Sequence, residues 1–138
     1  MSINKYNNGK IYKIVCNTTG LCYFGSTIEK HISNRLGGHR RHYKHYLNGK
    51  GGNLSSFKIL ENNNYEIILV ETVCCENVYE LRNRERFYIE NNECVNKHIP
   101  NQTKAEYNKK YNQTERGKEV KKKKNKKYRE KQKLKALE

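Results

Sequence analysis

The sequence predicts an α/β domain with elements in the order β β α α β α, followed by a basic tail. Two β-branched and aromatic runs flank a short turn, a third apolar run lies well downstream, and helical periodicity fills the intervals. The chain has 138 residues, 34% of them hydrophobic, and a mean hydropathy of -1.14. That suffices for one domain of about 100 residues, and no window approaches the roughly 18 apolar residues of a membrane span. Met1 to Lys10 lack an apolar run, so neither a secretory nor a transit segment is expected and the chain is expected inside a cell. The 5 cysteines form no CxxC pair and are expected to be reduced structural thiols.

Lys10 to Cys16 and Leu21 to Gly25 read as a β-hairpin closed by Asn17-Thr-Thr-Gly20. If Cys16 faces Leu21, then Ile14 faces Tyr23 and Tyr12 faces Gly25. The two tyrosines then share a sheet face as diagonal neighbours, with open space beside the Tyr12 phenol. Ser26-Thr-Ile-Glu29 has capping-box spacing and predicts a helix to about Leu47, with an inward stripe of Ile28, Ile32, Arg35, His39, Tyr43 and Tyr46. Gly37 and Gly38 weaken that helix by about 1 kcal/mol each, and mark either a close backbone approach or a bend. A second short helix from Asn53 to Glu61 carries Leu54, Phe57, Ile59 and Leu60. The near-continuous apolar run from Tyr65 to Glu71 predicts a strand buried on both faces. Glu76 to Asn91 completes the domain as a helix with Val78, Leu81, Tyr88 and Ile89 on one stripe, and Glu85 falls on that stripe.

Pro100, the only proline, marks a change of character, so residues 1–100 are expected to form the folded domain and 101–138 a Lys-rich tail, extended or partly helical. The net charge is +15, of which the tail carries +10. Such a balance points to a polyanionic partner, most often nucleic acid. Lys121, Lys122, Lys123, Lys124, Lys126 and Lys127 repel one another at helical spacing, so a stable free helix is not expected there. They read as either a solvated tail or an arm that tracks phosphates.

Taken singly, the polar candidates have ordinary explanations. Tyrosine is favoured in strands whatever its role, and four of the five histidines crowd between His31 and His45. Glu85 is more pointed, because a charge on an apolar stripe is costly unless it is paired or bound to metal. Arg82 and Arg84 are the nearby candidates for a pair. All 14 acids are Glu, so any metal site must be built on Glu.

Together these residues resemble the GIY-YIG nuclease family over residues 10–100. The first signature stands as Lys10-Ile-Tyr12, with Gly9 one place early. The second stands as Tyr23-Phe-Gly25-Ser-Thr27, with Phe24 for Ile. Arg35 with His39 four residues on, Glu85-Arg-Phe-Tyr-Ile89, and Cys94-Val-Asn-Lys97 follow in order. The resemblance implies a three-stranded antiparallel sheet flanked by about three helices, and a metal-dependent endonuclease that hydrolyses DNA phosphodiesters with one Mg²⁺ or Mn²⁺. It implies that Glu85 holds the metal, that Tyr12 and Tyr23 position or deprotonate the attacking water, and that Arg35 contacts phosphate. His39 shares or competes for the role of base, and Gly25 and Asn96 support the site. Lys13, Arg40, Arg41 and the tail lysines are the expected contacts to double-stranded or branched DNA.

Elementary chemistry agrees with that assignment. Mg²⁺ keeps several waters and is held by one or two carboxylates plus substrate phosphate. A planar guanidinium matches two phosphate oxygens. A phenol with an unperturbed pKa of about 10 needs a nearby cation such as Lys13, Arg35 or the metal to act as base, whereas imidazole starts near 6.5. The alternative is a non-catalytic, basic nucleic-acid-binding or packaging protein on a degenerate nuclease fold.

Overall fold

The computed structural model describes residues 4–137. Strand β1 (Gly9–Cys16) alternates so that Tyr12, Ile14 and Cys16 face one way and Ile11 the other, all of them buried. It is the central strand of a three-stranded antiparallel sheet of order β2-β1-β3, with β2 at Cys22–Thr27 and β3 at Tyr65–Val73. Pairing of β1 with β2 brings Tyr12 opposite Gly25 and Ile14 opposite Tyr23, the register expected from the turn. A bulge at Ile11/Tyr12 interrupts the pairing with β3.

Helices cover both faces of the sheet. On one, α1 (Ile32–Leu47) and α2 (Phe57–Leu60) bury Leu36, Phe57, Ile59 and Leu60 against Tyr12, Ile14 and Cys16. On the other, α3 (Val78–Asn91) packs Leu81 and Tyr88 near Ile11, and Phe24 stacks on Tyr88 with ring centroids 5.9 Å apart. The side chain of Asn77 caps α3 by accepting from the Glu80 N–H. Cys16, Cys22, Cys74, Cys75 and Cys94 are all free thiols.

Several expectations are corrected here. Ser26 and Thr27 do not open a helix; they continue β2 opposite Ile11 and Lys10, and α1 begins only at Ile32. The Glu29 N–H that a capping box would bond to Ser26 is taken by Thr27 Oγ1 at 3.1 Å, and the Ser26 hydroxyl donates to Glu85 instead. Strand β3 is not buried on both faces: it lies at the sheet edge, and Ile68 and Leu69 are exposed. The space beside Tyr12 is filled by its own phenol, which lies against Gly25 so closely that a Cβ there would overlap Cζ and Oη. Gly37 and Gly38 mark neither a break in α1 nor a close backbone approach, since only arginine side chains come near them. The second helix is confined to Phe57–Leu60, leaving Leu54 exposed.

The chain divides into two compact units after Asn101. The second unit is helical, with α4 at Lys104–Gln113 and α5 at Glu115–Ala136. Thr103 and Glu106 form a capping box on α4. Thr114 ends α4 and caps α5, accepting from the Gly117 N–H at 3.0 Å. Gly117 lies so close to the Tyr111 carbonyl that a side chain would overlap it. The helix therefore runs through Lys121–Lys127, against expectation. It is anchored on α4 at its start, and lysine is a good helix former whose i,i+4 repulsions cost only about 0.2–0.5 kcal/mol per pair. No helix among the described residues is long and apolar enough to cross a membrane.

Candidate functional site

A cleft of about 230 Å³ in the first unit is lined by Tyr23, Arg35, His39, Ser56, Glu85 and Asn96, among others. These residues come from β2, α1, the approach to α2, α3 and the segment after α3. Strand alternation places Tyr23 on the α1 face and Ser26 on the α3 face, so the cleft draws on both layers.

Tyr12 lies behind the cleft wall, 1% exposed. Its Oη meets His39 Nε2 at 2.9 Å and accepts from Arg35 Nε at 3.2 Å. The other imidazole nitrogen, Nδ1, is 3.1 Å from the Ser56 Oγ. The His39 ring also receives Tyr12 and Tyr23 edge-on, with centroids 6.0 and 5.3 Å away. The helical spacing of Arg35 and His39 thus delivers both side chains to one phenol, as the inward stripe of α1 predicts.

Burial governs the protonation of this group. It pushes the Tyr12 phenol well above its ordinary range, against the pull of Arg35. Burial, with the positive charge of Arg35 and His42 beside it, lowers His39 to about 4, so the imidazole is neutral at neutral pH. Tyr23 is raised by burial and by the negative charge of Glu85. Burial opposes the charge on Arg35, but Tyr12, Tyr23 and Glu29 more than offset it and raise its pKa.

Glu85 reaches the cleft from α3, where its Oε2 accepts from Ser26 Oγ at 3.2 Å. Burial raises its pKa, and Ser26, Arg35 and Arg82 only partly oppose that shift. Of the two expected ion-pair partners, Arg82 acts on Glu85 without reaching ion-pair distance, and Arg84 is committed to Glu71 at 2.8 Å, in a network where Tyr88 donates to the same carboxylate oxygen. Among the described residues no cation lies within ion-pair distance of Glu85, which leaves an under-compensated carboxylate facing a cleft.

That carboxylate bears on the metal expectation. Among the described residues no three His, Cys, Asp or Glu side chains cluster as a cage. A zinc-type centre therefore does not fit. A hard cation that keeps most of its water and takes one carboxylate plus substrate oxygens does fit.

Asn96 lines the cleft and spends its amide on β2. Its Oδ1 accepts from the Phe24 N–H at 2.9 Å and its Nδ2 donates to the Phe24 carbonyl at 2.7 Å, clamping the outer edge of β2. The Val95 N–H donates to the Cys22 carbonyl beside it. Lys13 is carried by alternation to the face opposite Tyr12, and the cation acting on that phenol is Arg35. Arg40 is held by Tyr65, donating to its Oη at 2.8 Å, whereas Arg41 stays exposed on α1. The lysines at 121–124, 126 and 127 are exposed along α5. Ser26, taken for a helix cap, and Ser56, which carries no pattern that singles it out, escape the sequence reading, as do His42, Ser55 and His98, which also line the cleft. No protein-family model, curated protein or solved structure matches the chain.

Proposed function

We propose that the chain is a metal-dependent endonuclease that hydrolyses phosphodiester bonds in DNA. The observation that carries this reading is the convergence of Tyr12, Tyr23, Arg35, His39 and Glu85, from four separate elements, on or directly behind one cleft. Two phenols, a guanidinium, a neutral imidazole and an unpaired carboxylate make a poor structural core and a suitable phosphoryl-transfer site.

In this reading Glu85 would hold a hydrated Mg²⁺ or Mn²⁺, which would supply charge stabilisation to the leaving oxygen. Arg35 spends its Nε on Tyr12 and keeps its two terminal nitrogens for phosphate oxygens. With Arg35 on one lone pair of Tyr12 Oη, the second lone pair is left for the attacking water. The water proton passes to Tyr12 Oη while the Tyr12 proton passes to His39 Nε2, so the phenol relays and the imidazole receives. Both nitrogens of His39 are already engaged within the protein, which supports its acting through Tyr12 and not on water directly. Tyr23, whose ring lines the cleft, orients the water or the scissile phosphate.

The test is relaxation of supercoiled plasmid in Mg²⁺. Wild type converts plasmid to nicked circles, and Glu85→Ala loses at least about a hundredfold in rate. Equal nicking by both proteins removes this mechanism. A second reading, a basic nucleic-acid-binding protein on a retired nuclease fold, is favoured by the covered position of Tyr12 and the lysines of α5. It requires salt-sensitive binding by both proteins and cutting by neither.

A further inference from the structure

Ser56 stands at the N-cap position of α2, and its side chain makes no capping bond there. A serine at that position ordinarily accepts from the backbone two or three residues on. Here the preceding turn supplies the backbone bonds, with Phe57 N–H donating to Leu54 O and Lys58 N–H to Ser55 O. The hydroxyl, 1% exposed, is spent on His39 Nδ1 at 3.1 Å instead.

Hydrogen-bond accounting fixes what that contact does. Arg35 has only donors, so its Nε–H occupies a lone pair of Tyr12 Oη. The buried phenol hydrogen then needs an acceptor, and among the described residues His39 Nε2 is the partner in reach. A neutral imidazole carries one N–H, so an accepting Nε2 requires the hydrogen on Nδ1, where the Ser56 oxygen accepts it. In this arrangement the Ser56 hydroxyl hydrogen is left over, but Ser56 lines the cleft, where water or substrate can accept it; the opposite arrangement strands the phenol hydrogen of Tyr12 behind the cleft wall, at a cost of about 1–3 kcal/mol.

We infer that Ser56 is a positioning residue that holds His39 as its Nδ1–H tautomer, so that Nε2 stands open to the proton of Tyr12. The consequence for catalysis rests on the nuclease reading; the tautomer itself does not. Ser56 sets the direction of a three-membered chain, Tyr12 to His39 to Ser56, before substrate arrives. In Ser56→Ala the Nδ1 hydrogen loses its acceptor, the imidazole gains nothing from carrying it, and the hydrogen moves to Nε2. There it opposes the proton of Tyr12.

Nitrogen-15 NMR of the full-length, nucleic-acid-free protein distinguishes the two ring tautomers. Wild type is expected to show His39 protonated on Nδ1 with Nε2 bare, and Ser56→Ala is expected to shift it to protonated Nε2. With Mg²⁺ and saturating plasmid, Ser56→Ala should lose about tenfold in kcat, less than the roughly hundredfold of a complete general base, with KM within about twofold. Protonated Nε2 in wild type overturns the inference without recourse to any variant. So does Ser56→Ala with an unchanged tautomer; a switched tautomer with unchanged kcat overturns the catalytic consequence and leaves the hold on His39 standing. If wild type carries the expected tautomer but cuts no DNA, the nuclease reading falls and the hold of Ser56 on His39 stands.

Discussion

A methyl group at position 25 has nowhere to go, because the Tyr12 ring already lies against the Gly25 backbone across the hairpin. The glycine is required by that close approach. Gly25→Ala should destabilise the fold by about 1–3 kcal/mol, the usual cost of forcing volume into a packed site, and should displace Oη from Arg35 and His39. A urea midpoint and a plasmid-nicking rate that both fall together check this; a variant as stable and active as wild type would show that Tyr12 does not depend on the glycine. At this scale the sequence is partly legible. Facing of Tyr12 by Gly25 follows from the turn length, but the ring's filling of that space does not, since register specifies neighbours and not rotamers. Ser56 is opaque for a similar reason: its partner lies 17 positions away on a different element.

Helix α1 is the element the sequence announces most clearly. Its 3.6-residue stripe delivers Arg35 and His39 to one phenol, and their polarity on an otherwise apolar face is itself the signal. Its start is misread because Ser26 and Glu29 match a helix cap, whereas Thr27 takes the Glu29 N–H and the Ser26 hydroxyl goes to Glu85. Strand β3 is misread because a continuous apolar run says nothing about whether a neighbour exists on each side. Helix α5 is misread because charge repulsion is weighed without the anchor at Thr114 and Gly117. Its exposed lysines lead to a prediction at the same scale. Replacing Lys121, Lys122, Lys123, Lys124, Lys126 and Lys127 by Gln should weaken DNA binding and flatten its dependence on salt, since each neutralised phosphate contributes roughly 0.9 to the logarithmic slope. Turnover at saturating DNA should hold. An unchanged salt slope would show that these lysines do not meet phosphates.

For the whole molecule, the cleft is a stability liability. His39 is buried neutral, its pKa lowered to about 4 from an ordinary 6.5. The folded state therefore resists a proton that the unfolded chain accepts, so this contribution is full above about pH 6.5 and is lost as pH falls toward 4. Relative to His39→Gln, wild type should lose about 3 kcal/mol more unfolding free energy between pH 7 and pH 4, at 1.36 kcal/mol per pKa unit. Parallel urea titrations of the two proteins measure this, and parallel loss in both would mean that the imidazole titrates freely. Glu85 works in the opposite sense: burial raises its pKa, so its charge at neutral pH is carried at a cost. A buried neutral base and a poorly compensated acid are expected where chemistry outweighs packing.

The central claim, that these scattered side chains act together on a phosphodiester, is tested most directly by the rate at which purified protein nicks supercoiled plasmid as Mg²⁺ is titrated. The account predicts Mg²⁺-dependent relaxation by wild type, and none above background by Glu85→Ala at any Mg²⁺ concentration. Relaxation of equal rate by both, or by neither, would contradict it.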